Sequence, residues 1–144
     1  MTVLRTMMKS KIHRARVTGA CLDYVGSITL DPELMRAADV REFEQVHVLD
    51  IDNGARFETY AMAGGPGDVV LNGAAARLVQ PGDRVIVITY AQYDAAELER
   101  YRPLIVHVDD RNRVIPEEEA VARAGSNLVW IRDHARPDGA APST

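Results

Sequence analysis

Residues 22–30 read LDYVGSITL, a strand-like run of apolar and β-branched residues interrupted by a glycine. Glycine weakens the interior of a strand, so a glycine at such a position often marks a bulge or a close backbone approach. The residue after it, Ser27, carries a hydroxyl that can attack the Gly26 carbonyl if the backbone is held bent. On this dipeptide alone, a bulge followed by a solvent-facing serine is the favoured interpretation. The residues around it make the Gly26-Ser27 peptide the candidate reactive bond.

Size and composition place the chain among ordinary globular proteins. Its 144 residues suit one domain, and a net charge of −4 without a basic cluster argues against a nucleic-acid partner. No apolar run approaches the ~20 residues of a membrane span, so we expect no membrane partner. Residues 1–7 lack the apolar core of a signal peptide, which favours a cytoplasmic protein. The single cysteine, Cys21, excludes an internal disulfide and a cysteine-based zinc site.

The succession of short elements predicts a small, mostly-β barrel with a few short helices. Asn53-Gly54 is the best hairpin signal, because both turn positions tolerate positive φ. The apolar run over 84–90 predicts a strand buried on both faces. Expected strands cover 3–18, 22–30, 45–52, 55–62, 69–71, 84–90 and a hairpin over 103–115, and expected helices cover 33–38, 74–79, 95–101 and 117–124.

The chain carries no internal repeat and no linker long enough to separate two domains. We therefore expect one barrel domain over residues 1–116, followed by a partly disordered C-terminal extension over residues 117–144. The end of this extension, residues 136–144, has the composition that is typical of a disordered tail.

Few other residues offer reactivity. The four histidines stand singly, without the spacing of a metal pair, so we predict no metal site. Residues 72–76, NGAAA, form a strand-to-helix turn whose free N–H groups suit a carboxylate, although a plain turn explains the same pattern. On the predicted strand over 55–62, alternation places Arg56 and Tyr60 on one face and Thr59 on the other. A single site that uses all three therefore requires a strand end, a twist or a boundary between subunits.

Five blocks of sequence follow one another at spacings that point to one family. They are RTMMKSKIHRA (5–15), LDYVGSI (22–28), NGARFETY (53–60), LNGAAA (71–76) and PGD (81–83). Together they resemble the aspartate 1-decarboxylase family over residues 3 to about 115. The resemblance implies a double-psi β-barrel that assembles as a homotetramer with active sites between subunits. It also implies a pyruvoyl-dependent enzyme that converts L-aspartate to β-alanine and CO₂ for pantothenate synthesis.

The resemblance also implies roles for individual residues. The chain would cut itself between Gly26 and Ser27, Ser27 would become the pyruvoyl cofactor, and Tyr60 would be the proton donor. The remaining implied site residues are Thr59 and the backbone of Gly73, Ala74 and Ala75 for substrate binding, Arg56 and Lys11 as carboxylate partners, and His13 and Asn72 in support. Neither a metal ion nor pyridoxal phosphate is implied, and the lysines at 9 and 11 lie in a basic strand without a phosphate cradle.

The sequence departs from the family at residues 64–68, GGPGD, a shorter loop that lacks the glutamate-arginine pair often found there. Two other interpretations of the whole chain stay open at the level of sequence. One is a non-enzymatic small β-barrel that binds an anion or a peptide and is never cleaved. The other is a serine hydrolase that uses Ser27 without cleavage, although no histidine-carboxylate pair lies near Ser27 in the sequence.

Overall fold

Nine β-strands dominate the part of the chain that the structure, a computed structural model, describes, namely residues 1–124. The strands are β1 (Arg5–Arg16), β2 (Gly19–Cys21), β3 (Ser27–Leu30), β4 (Gln45–Asp50), β5 (Arg56–Ala63), β6 (Val69–Asn72), β7 (Arg84–Tyr93), β8 (Leu104–Val108) and β9 (Val114–Ile115). The helices are α1 (Pro32–Ala37), a 3-10 helix (Gly73–Arg77), α2 (Ala95–Leu98) and α3 (Glu117–Ala124). The mostly-β class with a few short helices is confirmed. The predicted disorder of residues 136–144 lies outside the described residues.

The strands form one sheet in the order β2-β6-β3-β5-β4-β7-β1-β8-β9. Three neighbouring pairs, β1–β8, β2–β6 and β3–β5, are parallel, and the others are antiparallel. Segments that are distant in sequence therefore become neighbours, as small barrel-like folds require. The strand that begins with Ser27, β3, is enclosed on its two sides by β5 and β6.

One face of this sheet forms the core. Alternate residues of the central strands lie on that face and are at most 1% exposed, namely Ile12, Ile28, Leu30, Val46, Val48, Leu71, Val85 and Val87. Burying each such side chain stabilises the fold by about 1.5–3 kcal/mol. The predicted burial of both faces of β7 is wrong, because Ile86 and Ile88 alternate with core residues and are only half-buried. We call the face opposite to the core residues the outer face.

Two turns show how local chemistry fixes the ends of these elements. α1 begins where predicted to within one residue, because the Asp31 carboxylate accepts the Glu33 N–H at 2.8 Å. The loop between β4 and β5 is longer than the predicted two-residue turn, and of its Asn-Gly pair only Gly54 has positive φ, +78°. Asp50 explains the difference, because its carboxylate accepts the N–H groups of the two residues at 52 and 53 before the glycine is reached.

The predicted strand over 22–30 is wrong in its first half, because β3 begins only at Ser27. Its antiparallel pairing with β6 starts at the pair formed by Ser27 and Asn72. Beyond that pair β6 turns into the 3-10 helix at Gly73, so the antiparallel ladder between β3 and β6 ends at Ser27. These five residues form an exposed turn despite their high β propensity.

Candidate active site

Ser27 is a buried residue, only 2% exposed, at the start of β3. Its Oγ donates a hydrogen bond to the Val25 carbonyl at 3.3 Å and accepts one from Asn72 Nδ2 at 3.1 Å. The Asn72 amide also donates to Thr29 Oγ1 at 3.0 Å. The solvent-facing serine of the plainer alternative is therefore wrong. Sequence reasoning missed Thr29, whose only signal is its two-residue spacing from Ser27, which puts both hydroxyls on one face of the strand.

Gly73 provides the close backbone approach that the sequence predicted at Gly26. Its φ is +66°, and a Cβ built on it would lie 2.7 Å from Gly26 Cα, 2.9 Å from Gly26 N and 3.1 Å from the Tyr24 carbonyl oxygen. Neither the backbone angle nor the available space admits an L side chain at this position. Gly26 is less restricted, since its own Cβ would meet only the Asn72 carbonyl oxygen at 4.0 Å.

The first turn of the 3-10 helix lies against this candidate bond. Gly73 is buried, Ala74 is exposed and Ala75 is half-buried. The first N–H groups of a helix have no partner within the helix, and in the described part of the chain the Asn72 side chain does not cap them. These N–H groups therefore offer donors for an anion close to Gly26.

Tyr60 lies beside Ser27 in the sheet. The parallel pairing of β3 with β5 aligns Ile28 with Ala61. Ser27 and Tyr60 directly precede these two residues, so the same register puts Ser27 and Tyr60 side by side. Ile28 and Ala61 are both 0% exposed, so strand alternation places Ser27 and Tyr60 on the outer face. One chain thus brings together the two residues to which the resemblance gives catalytic roles.

Arg56 and Thr59 follow the predicted alternation along β5. Arg56 is exposed on the outer face, four residues before Tyr60. Thr59 is half-buried and pairs with the core residue Val46, so it lies on the inner face. The structure therefore places Tyr60 and Arg56 on the face of Ser27 and leaves Thr59 on the other face.

Lys11 lies on the outer face of β1. In the order of the sheet, β5, β4 and β7 separate β1 from β3, the strand of Ser27. Lys11 pairs in register with Ile88 and Ile105, and burial lowers the pKa of its ammonium group.

His13 also lies on β1, and it lines a cavity of about 450 Å³ together with His107. The two ring centroids are 6.2 Å apart, and within residues 1–124 neither Nδ1 atom finds a hydrogen-bond partner. Burial, followed by the nearby charge of Lys11, lowers the pKa of His13 to about 4, so the ring is neutral at pH 7.

The shortened loop over 64–68 is fixed against the start of α1. Gly67 N donates to Asp31 Oδ2 at 2.8 Å, and Gly65 N donates to Asp68 Oδ2 at 2.8 Å. Asp31 N in turn donates to the Asp68 carbonyl at 2.8 Å. Two aspartates therefore hold this loop without the charged pair that the family often carries there.

Asp50, Asp52 and Asp83 form a group of carboxylates that is close enough to hold a metal ion, since one oxygen from each lies within 4.8 Å of the others. Asp50 is 2% exposed, and its Oδ2 has no hydrogen-bond partner in the described part of the chain. Burial, followed by the neighbouring Asp83, raises the pKa of Asp50 to about 6. Either a proton or a cation can balance the charge of this group.

Replacing Asp50 with asparagine is expected to stabilise the protein at alkaline pH, because the amide keeps an acceptor for the N–H groups at 52 and 53 but carries no buried charge. The pKa of Asp50 in the folded protein, about 6, lies above its ordinary value of 3.8. The ionised carboxylate therefore destabilises the wild-type fold by its full amount above pH 6 and not at all below pH 3.8. In urea unfolding, the free energy of unfolding of Asp50→Asn should exceed that of the wild type by about 1–2 kcal/mol at pH 8. At pH 5 this difference should be about 1 kcal/mol smaller. Asp52→Asn, at the exposed member of the group, is the matched control. A gain of equal size at both pH values would contradict the explanation.

Comparison with known proteins identifies the family. A sequence model of the family described as aspartate decarboxylase matches residues 3–115. This chain belongs to that family. Aspartate 1-decarboxylase 1 of Gloeobacter violaceus is 59% identical over 115 residues, which cover 78% of this chain and 98% of the relative. Aspartate 1-decarboxylase of Heliobacterium modesticaldum is 60% identical over 115 residues, 78% of this chain and 87% of the relative. Aspartate 1-decarboxylase 2 of Gloeobacter violaceus is 54% identical over 125 residues, which cover 85% of this chain and 100% of the relative.

Membership of the aspartate decarboxylase family fixes the class of activity. The chain is an enzyme, a carboxy-lyase that acts on aspartate. The interpretation as a non-enzymatic barrel is therefore set aside, and the family gives no support to a serine hydrolase. None of the helices formed by residues 1–124 combines the length and the apolar character that crossing a bilayer demands.

Proposed function

We propose that this enzyme converts L-aspartate to β-alanine and CO₂ with a pyruvoyl group made from its own Ser27. The observation that carries the proposal is the buried Ser27 hydroxyl, held by Asn72 next to the point where Gly73 packs against Gly26. This arrangement suits an intramolecular attack on the preceding carbonyl. In agreement with the resemblance, β-alanine would serve pantothenate synthesis in the cytoplasm.

Self-cleavage begins when Ser27 Oγ attacks the carbonyl carbon of Gly26. The new C–O bond replaces the C–N bond between the two residues, which turns the amide into an ester and frees the amino group of Ser27. Loss of the Ser27 Cα proton then breaks the Cβ–O bond and gives a Gly26 carboxylate and a dehydroalanine. One water hydrolyses the dehydroalanine, which releases ammonia and leaves a ketone at the start of residues 27–144.

Positioning contributes more to this cleavage than strain. A strained backbone stores about 1–3 kcal/mol. A fixed intramolecular geometry removes roughly 7–11 kcal/mol of the barrier. Asn72 supplies part of that geometry through its 3.1 Å hydrogen bond to Ser27 Oγ. Thr59 lies on β5, the neighbour of β3, and we assign its hydroxyl to the oxyanion that forms at Gly26.

The surroundings of Ser27 also fit the pyruvoyl group. That group supplies the electron sink that many other decarboxylases obtain from pyridoxal phosphate. Tyr60, side by side with Ser27, would donate the proton that replaces CO₂ on the substrate. Arg56 would bind the remaining carboxylate through two N–H groups, and the free N–H groups of residues 73–75 would add further donors.

The resemblance places Lys11 in such a site, although β7, β4 and β5 separate its strand from β3 in the order of the sheet. The turn before Ser27 supports an interface at this place, since Leu22, Tyr24 and Val25 are 50%, 64% and 71% exposed. We therefore propose active sites between subunits, in which Lys11 of one copy faces Ser27 of another, with His13 beside it. The resemblance implies that the assembly is a homotetramer.

Denaturing mass spectrometry of the purified protein tests this function directly. The proposal requires one fragment of residues 1–26 and a second of residues 27–144 that carries a ketone in place of its amino group. Treatment with borohydride should shift the mass of the second fragment only, and should abolish β-alanine formation. An uncut chain that still forms β-alanine would overturn the proposal.

Gly73→Ala is expected to slow self-cleavage by about a hundredfold or more, since its Cβ would displace Gly26 and a misplacement of about 1 Å can cost about 10²-fold in rate. Gly82→Ala is the matched control, because Gly82 also has positive φ, +95°, but, its chain neighbours apart, none of residues 1–124 lies within 4 Å of its Cβ position. Both variants suffer an unfavourable backbone angle, and only the first meets the candidate bond. The fraction of cut chain should be followed by denaturing gel over time. Equal rates in the two variants would exclude the contact as the cause.

A further inference from the structure

Phe43, in the turn between α1 and β4, combines a backbone angle and an exposure that are unusual for an aromatic residue. Its φ is +70° and its side chain is 72% exposed. A bulky side chain in the left-handed region is an outlier, and such a conformation persists only where the surroundings determine it. Folding alone gives no reason to place a large apolar ring there, which directs attention to what the ring contacts.

The backbone around Phe43 is fixed to β5 immediately after Tyr60. Phe43 N donates to the Ala61 carbonyl at 2.8 Å, and Ala61 N donates to the Glu44 carbonyl at 3.0 Å. The Glu44 side chain is itself held, because Lys9 Nζ donates to its Oε2 at 2.7 Å. The position of the Phe43 ring is therefore set by β5 and not by the flexibility of a loop.

The Phe43 ring stacks on the ring of Tyr60. The two centroids are 6.2 Å apart and the ring planes differ by 26°, within the range of offset aromatic stacking. Among residues 1–124, the Tyr60 hydroxyl takes part in no hydrogen bond that could orient it. Stacking on Phe43 therefore contributes to the orientation of the Tyr60 ring.

We propose that Phe43 is a positioning residue for Tyr60, whose ring it holds in the orientation that delivers a proton next to Ser27. This inference rests on the proposed function, in which Tyr60 is the proton donor. Since Phe43 acts on the placement of a proton and not on the substrate, its loss should lower kcat and leave KM unchanged.

The test compares four variants at position 43 by kcat and KM per cut chain. Phe43→Asn, a residue that tolerates positive φ, should lower kcat by about three- to tenfold, with KM changed less than twofold and no loss in unfolding temperature. Phe43→Leu, apolar but without a ring, should show a similar fall in kcat. Phe43→Tyr and Phe43→Trp should restore kcat to within about twofold of wild type. A kcat loss that tracks unfolding temperature, cut fraction or oligomeric mass would overturn the inference.

A double-mutant cycle with Tyr60→Phe separates this inference from the proposed function. When the Tyr60 hydroxyl is absent, Phe43→Asn should have no further effect on kcat. Two outcomes would overturn the positioning role alone. One is that Phe43→Asn lowers kcat by the same factor in the wild type and in Tyr60→Phe. The other is that Phe43→Asn leaves kcat unchanged while Tyr60→Phe lowers it. Full activity of Tyr60→Phe would overturn the proton-donor role, and the inference with it.

Discussion

Ser27→Ala is expected to leave every chain whole and to abolish β-alanine formation. Alanine has no hydroxyl to attack the Gly26 carbonyl, so neither the ester nor the ketone at the start of residues 27–144 can form. The fold should survive, because Ser27 lies at the first position of β3 and, among residues 1–124, its Oγ makes only the two hydrogen bonds to Val25 and Asn72. Circular dichroism, denaturing mass spectrometry and an assay of β-alanine on one preparation check the three parts of this expectation.

Ser10→Ala is the matched control for this substitution. Ser10 is the other serine among residues 1–124 that is buried, at 1% exposure, and its hydroxyl is hydrogen-bonded to Thr89 on β7. Its loss removes a buried hydroxyl far from β3 in the sheet, with a cost of about 1–3 kcal/mol for the partner left unpaired. This variant should still cut itself. Decarboxylation by an uncut Ser27→Ala chain would refute the assignment of Ser27.

The fold was predictable where local chemistry decides it. Asp31 with the proline after it predicts α1, and the alternation on β4 and β7 leaves a single core face once the register is known. Burial on both faces of β7 was predicted wrongly, because an apolar run reveals hydrophobicity and not which of its residues another layer covers. Ile86 and Ile88 therefore lie on the outer face and stay half-buried.

The candidate site was predictable as a set of residues but not as an arrangement. Ser27, Asn72 and Tyr60 meet because β3 lies between β6 and β5, and strand order is not readable from local patterns. High β propensity also concealed that residues 22–26 form a turn, on a level where β6 has already ended at Asn72. The position of Lys11 belongs to the same class, since only the sheet order shows that β7, β4 and β5 lie between its strand and β3.

Phe43 and Gly73 show a different limit of sequence reasoning. A phenylalanine in a polar turn looks like chance exposure until its φ of +70° and its stacking on Tyr60 are seen together. Gly73 looks like an ordinary turn glycine until the distance to Gly26 Cα is measured. Both residues matter through contacts with segments distant in sequence, and such contacts exist only in the folded chain.

Tyr60→Phe is expected to cut itself normally and yet to lose about a hundredfold or more in kcat. The phenol is the proposed source of the proton that replaces CO₂, and general acid catalysis typically contributes about 10²–10⁴-fold. The ring itself remains, so stacking on Phe43 and the fold of β5 should be kept. Cleavage does not use the phenol in the proposed route, since Ser27 Oγ and Asn72 act there.

The measurement is the rate of β-alanine formation per cut chain, with the cut fraction from mass spectrometry as the denominator. Tyr90→Phe is the matched control, because the Tyr90 hydroxyl makes a 3.3 Å hydrogen bond to His47 Nδ1 and has no part in the proposed chemistry. That variant should retain wild-type kcat. Full β-alanine production by Tyr60→Phe would remove Tyr60 from the proton-donor role. An uncut Tyr60→Phe chain would instead show that cleavage and decarboxylation share this residue, against the division of roles between Tyr60 and the Ser27–Asn72 pair.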